Sequence, residues 1–263
     1  MRRSSRSNCR RRTNSLKQAA VLFMLAVSLY GIRAFAQSAS DHRFETLMQN
    51  LKSGRWEERS SAFYSLLSEY PKLEAAKPAA VGLLVRENLL VGTIRQVSEP
   101  YSDYYGDLIR EVASFHDSTS LQALLGCITT GDMATRGLAA LGALALDPIT
   151  ARLGDSDSNV RQAATIVLSE MLDWQKTSAP GQVPLARVKQ GLMKAASDEY
   201  PYVRMAAIEG LAKVDGPDVR ILLEKLAAED PYEASSHGGE KGNYPVRRSA
   251  RELLSHLQGA QID

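Results

Sequence analysis

A period of 43 residues constrains this chain more than any other feature. Val160-Arg161-Gln162-Ala163-Ala164 recurs 43 positions later as Val203-Arg204-Met205-Ala206-Ala207, and again after 43 as Val246-Arg247-Arg248-Ser249-Ala250. Leu168, Leu211 and Leu254 keep that spacing, as do Met171, Val214 and Leu257. Within each copy the small or apolar residues fall at i, i+3, i+4, i+7, i+8 and i+11, which is one face of an α-helix. A helix of this kind recurring every 40 or so residues is the signature of a solenoid, because one hairpin cannot bury its own apolar face.

Fainter copies of the core Arg-x-x-small stand upstream, at Arg136-Gly137-Leu138-Ala139, Arg110-Glu111-Val112-Ala113 and Arg59-Ser60-Ser61-Ala62. Partner helices are expected between them. Leu121, Leu124, Leu125 and Ile128 give one apolar stripe, Leu185, Val188, Leu192 and Ala196 another, and Val219, Leu222, Leu223 and Leu226 a third. Pro148, Pro184 and Pro217 are expected near helix starts, where a missing N–H costs nothing. No alternating strand pattern competes, and aromatics are only 6% of the chain, so its core must come from Ala, Leu, Val and Met. The expectation is an all-α protein, an α-solenoid of stacked antiparallel hairpins. Degenerate hairpins would fill 37–130, regular repeats 131–258, and a short tail 259–263.

The pattern Asp155-x-Asp157-x-x-Val160-Arg161-x-x-Ala164-x-x-x-Leu168 resembles the HEAT repeat, particularly the bacterial kind related to phycobilisome lyase subunits. The second copy keeps Asp198 and Val203-Arg204 but has Tyr200 at the second acidic position. The third keeps Val246-Arg247 but has Lys241 and Asn243 at the two acidic positions, as expected of a looser terminal repeat. The resemblance implies that Asp155, Asp157, Asp198, Arg161, Arg204 and Arg247 form a structural ladder between neighbouring hairpins. The chemistry is sound, since a carboxylate beside a helix start takes up free N–H groups and a guanidinium bridges to the next unit.

The first 36 residues read as a secretory signal peptide. Arg2, Arg3, Arg6, Arg10, Arg11, Arg12 and Lys17 precede an apolar run from Ala19 to Tyr30, and Ala34-Phe35-Ala36 closes the segment. Cleavage is expected after Ala36. The run is too short for the ~20 residues that cross a bilayer, so stable membrane insertion after cleavage is not expected. The protein is then periplasmic or secreted. The whole chain carries a formal charge of +2, but these 36 residues hold eight basic and no acidic side chains, so the remainder is at −6. A net acidic chain repels phosphate backbones, which argues against nucleic acid as a partner and against the basic channel of HEAT-like DNA glycosylases. Of the two cysteines, Cys9 falls in the signal segment and Cys127 is left without an internal disulfide partner.

No catalytic constellation stands out. His42, His116, His237 and His256 lack a second ligand at metal-binding spacing, and Cys127 sits in an apolar helix without a neighbouring base. Ser235-Ser236-His237-Gly238-Gly239-Glu240 has suggestive letters in a flexible composition, and no nucleotide or nucleophile-elbow motif is present. Neither a cofactor nor a metal is expected. Two interruptions of the repeat rhythm are the places for binding specificity. Glu99-Pro100-Tyr101-Ser102-Asp103-Tyr104-Tyr105-Gly106 is expected as a loop, its tyrosines Tyr101, Tyr104 and Tyr105 either exposed for a partner or folded over neighbouring helices. The second interruption, 230–243, lengthens the last hairpin and by composition is expected to be disordered or ordered only on binding, with Tyr200 and Tyr202 extending its surface or Tyr202 packing between repeats. The function expected is a non-catalytic scaffold for protein–protein interaction. The alternative is a lyase-like enzyme or accessory factor, which the resemblance to bilin lyases implies and an export signal opposes.

Overall fold

The computed structural model describes residues 42–70, 76–91, 98–177, 183–214, 216–234 and 242–259. The proposed signal segment, the run Ser235–Glu240, Lys241 and residues 260–263 lie outside the described residues. Every regular element described is a helix, and the protein is all-α. The chain divides into two compact units, one ending at Leu73 and one beginning at Glu74. The boundary expected at 130/131 instead falls inside the second unit, between two helices that pack on each other.

The first unit holds a hairpin of α1 (42–50) and α2 (Trp56–Glu69). Leu47, Leu51, Ala62, Phe63 and Leu66 are buried in it. Phe44 meets Tyr70 edge-on at 5.3 Å between centroids, closing the open end of the hairpin.

The second unit is an α-solenoid of five hairpins: α3 (Ala76–Val91) with α4 (Glu99–Ser114), α5 (Ser118–Gly126) with α6 (Asp132–Ala140), α7 (Ala143–Arg152) with α8 (Ser158–Thr177), α9 (Leu185–Ala195) with α10 (Pro201–Leu211), and α11 (Pro217–Glu229) with α12 (Pro245–Gly259). The even-numbered helices form one layer, α4 on α6, α6 on α8, α8 on α10 and α10 on α12. In the other layer α3 packs on α5 and α5 on α7.

The 43-residue period is visible as burial. Ala164, Ala207 and Ala250 are all at 0% exposure, one at the same depth of each successive even helix, where a larger side chain would force the layers apart. Leu168, Met171 and Leu172 fill the middle of α8, each contributing about 1.5–3 kcal/mol by burial. Helices approach closely at Gly210 of α10, where a Cβ would lie 2.7 Å from Leu192 Cδ2 and 3.2 Å from Ser169 Cβ.

Two local expectations need correcting. Pro148 lies inside α7 rather than at its start, because Gly142, at φ 56°, turns the chain into the helix earlier. The N–H that Pro148 lacks would have met the carbonyl of Leu144, itself an exposed residue, so the loss is tolerated. The segment Glu99–Gly106 is not a loop. It is the first two turns of α4, with Pro100 in the first turn, where the helix needs no N–H.

Candidate functional site

The turns that precede α8 and α10 share one construction. Asp155 Oδ1 accepts the Asp157 backbone N–H at 3.0 Å, and Asp198 Oδ1 accepts that of Tyr200 at 2.8 Å. Six residues after each aspartate an arginine reaches back along the turn. Arg161 Nη1 donates to the carbonyls of Asp155 and Ser156 at 3.0 and 3.3 Å, and Arg204 Nη1 to those of Asp198 and Glu199 at 2.8 and 2.9 Å. These carbonyls lie in the turn, outside any helix, and the guanidinium supplies the donors they lack.

The other edge of each guanidinium crosses to the next repeat. Arg161 grips Asp198 with Nε at 2.8 Å and Nη2 at 3.0 Å, and Nη2 also reaches Glu199 at 3.1 Å. The hydrogen bonds that Arg161 donates to Asp198, with the charge of that carboxylate, hold its guanidinium above the ordinary arginine value. Arg204 grips Asp230 in the same two-pronged way, at 2.6 and 2.9 Å. Asp157 plays a different part: its Oδ1 accepts the Asn159 N–H at 2.8 Å and caps the start of α8. Asp155 receives no arginine from the preceding repeat. The Asp157 N–H, together with Arg152 of the same hairpin, which takes Asp155 Oδ2 at 3.0 Å, keeps the carboxyl below its usual range.

Asp230 escaped the sequence reading, which looked for the third acidic pair at 241 and 243. α10, at 11 residues against 20 in α8, is the shorter helix and the α11–α12 turn is the longer one, so the third aspartate comes early. Asp230 Oδ1 accepts the Tyr232 N–H at 3.0 Å, the same turn as at Asp198, and Arg247 still reaches the Asp230 carbonyl with Nε at 2.6 Å despite the intervening insertion. Arg247 also stacks over Tyr244, 4.1 Å from the ring centroid. The signal was present as Asp-x-Tyr, shared by 198–200 and 230–232.

The first unit repeats the device with different letters. Ser53 Oγ accepts the Arg55 N–H at 3.1 Å, and Arg59 Nη1 donates to the carbonyls of Ser53 and Gly54 at 3.0 and 3.1 Å. Arg59 is 1% exposed. By contrast Arg110 and Arg136, the other two upstream arginines, are exposed, and in α6 it is Thr135 that takes the buried position just before Arg136.

The candidate tyrosines separate into two groups. Tyr101, Tyr104 and Tyr105 are buried, so they offer no surface to a partner. Tyr101 and Tyr104 donate their hydroxyls to the fully buried Glu87 of α3, at 2.7 and 3.1 Å. Tyr105 sits beside Cys127 and 3.1 Å from Thr130 Oγ1, and burial raises its hydroxyl above the ordinary tyrosine value. Burial likewise pushes the Cys127 thiol up to about 11, away from nucleophilic character. Tyr200 and Tyr202 lie at the repeat edge. Their rings are 5.4 Å apart, Tyr232 joins them at 6.3 Å from Tyr202, and Tyr202 is 45% exposed.

Among the described residues no group of three or more His, Cys, Asp or Glu side chains is placed to hold a metal ion. No helix among them is long and apolar enough to cross a membrane.

The ladder of Asp198, Arg161, Arg204 and Asp230 falls within the segment that matches a family model for HEAT repeats, residues 146–236. This segment is a run of HEAT repeats. The match is to HEAT repeats as such and does not single out the phycobilisome-lyase type. No curated protein matches the chain in sequence. The HEAT segment takes in α8 to α11 whole, and the α11–α12 hairpin extends it by the same stacking.

Proposed function

We propose that this protein is an exported, non-catalytic scaffold that binds a protein partner at the edge of its HEAT repeats. HEAT repeats serve commonly as interaction surfaces, and a stacked array exposes more rigid surface than a compact globule of equal length. The observation that carries the reading is the cluster of Tyr200, Tyr202 and Tyr232. The backbones of Tyr200 and Tyr232 are pinned by the Asp198 and Asp230 turns, these in turn by Arg161 and Arg204, and Tyr202 stands in the first turn of α10. Tyrosines held this way present contact area without an ordering cost, which is the character of an interface anchor.

A photo-cross-linking side chain placed at Tyr202 in the producing cell tests this. A discrete adduct is expected that is absent when the probe stands at Glu224 on α11, and that weakens when Tyr200 and Tyr232 become alanine. Equal labelling from both positions would remove the basis for the proposal. Export is tested separately by sequencing the purified protein, whose first residue is expected to be Gln37.

A further inference from the structure

The even-helix layer carries a cavity of about 400 Å³ between α4, α6 and α8. Ile109 and Ala113 of α4, Met133 and Ala140 of α6, and Trp174 of α8 supply its apolar wall. Trp174 is 38% exposed, an unusual position for the largest side chain in a chain with two tryptophans. Among the described residues the charged side chains lining the cavity are Arg110 and Arg136, with no Asp or Glu. Arg110 is paired with Asp107, 2.6 Å away. Arg136 makes no hydrogen bond or ion pair with a described residue. His116 is committed to the main chain, with Nε2 donating to the Ala140 carbonyl at 3.0 Å.

Arg136 stands apart from the other arginines of the repeat helices. Arg59, Arg161 and Arg204 are buried and donate to turn carbonyls, whereas Arg136 sits one position later in its helix and is exposed. The ladder therefore leaves its charge unexplained. The apolar wall and the uncompensated cation together define a complementary ligand.

We propose that this cavity binds a small amphipathic carboxylate, a molecule with one alkyl or aryl body and one anionic end. The body would lie against Met133, Ile109, Ala113 and Trp174, and the carboxylate would pair with Arg136. The volume lies near the lower end of the range typical of small-molecule sites, roughly 300–1,000 Å³, and is too small for a helix of a partner protein. The sign of the ligand follows from the lining. A cation of the same shape meets two like charges, and a neutral alcohol fills the wall but leaves the guanidinium without its strongest class of hydrogen bond.

Decanoate serves as the probe, titrated into the full chain carrying Trp56→Phe so that Trp174 is the only tryptophan and reports through its emission. A saturable shift in emission is expected. Arg136→Gln, at an exposed position and therefore expected to leave the circular dichroism unaltered, is expected to weaken decanoate binding tenfold or more, while decanol binds both proteins alike. Arg110→Gln should weaken it less, because Asp107 already shares that charge. Ala140→Phe, which fills the cavity, should abolish the shift. The proposal is overturned if decanoate gives no saturable response, if Arg136→Gln or Ala140→Phe binds it unchanged, or if decyltrimethylammonium binds as tightly as decanoate.

Discussion

Replacing Asp230 by alanine isolates what the inter-repeat ladder contributes. The Arg204 side chain is 8% exposed and that of Asp230 1%, so the pair is almost wholly out of water. Truncation at Asp230 leaves the Nε and Nη2 edge of a buried guanidinium without an acceptor, although Nη1 keeps the carbonyls of Asp198 and Glu199. Removing one member of a buried pair costs about 3–5 kcal/mol, because the remaining charge is uncompensated. Arg204→Met alone should cost a similar amount, since it strands the carboxylate. Replacing both, Arg204→Met with Asp230→Leu, removes the stranded charge and should cost no more than either single change. If the two sites were independent the double change would cost about 6–10 kcal/mol, so a coupling of at least ~3 kcal/mol is expected. The internal control is Asp155→Ala, which breaks an ion pair with Arg152 whose side chains are 44% and 22% exposed, and exposed pairs contribute only about 0.2–1 kcal/mol. Solenoids do not always unfold as one unit, so urea melts should be read beside hydrogen exchange resolved to α10, α11 and α12. The reasoning is refuted if Asp230→Ala costs no more than Asp155→Ala, or if the double variant costs the sum of the singles.

Gly210→Ala is expected to destabilise the protein by about 1–3 kcal/mol, because its Cβ would press on Leu192 and Ser169, whereas Gly82→Ala in α3, where a Cβ meets nothing within 4 Å, should stabilise it by about 0.5–1 kcal/mol; thermal melts of the two variants distinguish these signs. Asp117 accepts the Ser120 N–H at 2.8 Å and caps α5, which holds its carboxyl below the usual carboxylate value of about 4. A folded-state value depressed in this way gives stability that is present above the unfolded value and lost as pH falls through the folded one, so Asp117→Asn should flatten the loss of stability below about pH 4 in acid titrations followed by circular dichroism. Cys127, with its thiol raised to about 11 and its Sγ donating to the Ala123 and Leu124 carbonyls, should react with iodoacetamide far more slowly in the native chain than in urea at the same pH. Equal rates would show that the site opens on the reaction timescale.

The upstream half illustrates why some of this was hidden. Glu99-Pro100 followed by three tyrosines and a glycine has the composition of a turn, yet the segment is helical and buried. Tyr101 and Tyr104 are held by Glu87, from a different helix more than a dozen residues earlier, and no local pattern announces such a partner. The ladder was legible where its spacing was regular, at Asp155, Arg161, Asp198 and Arg204. It was lost at Asp230, where a shorter α10 and a longer α11–α12 turn keep the arginine period but move the aspartate. It was also underread at Ser53 and Arg59, where a hydroxyl replaces the carboxylate in the same turn.

The order of apolar residues along the chain was sufficient to determine that helices form, which face each one buries and that hairpins must stack, since helical periodicity is a local property and burial of a single stripe has few solutions. Which arginines turn inward to carbonyls and which outward to an apolar cavity was decided by the tertiary structure, as in α6, where Thr135 rather than Arg136 takes the buried position. The partners of Glu87 and Asp230 were likewise fixed by packing, because charges separated widely in sequence meet only once the stack has closed.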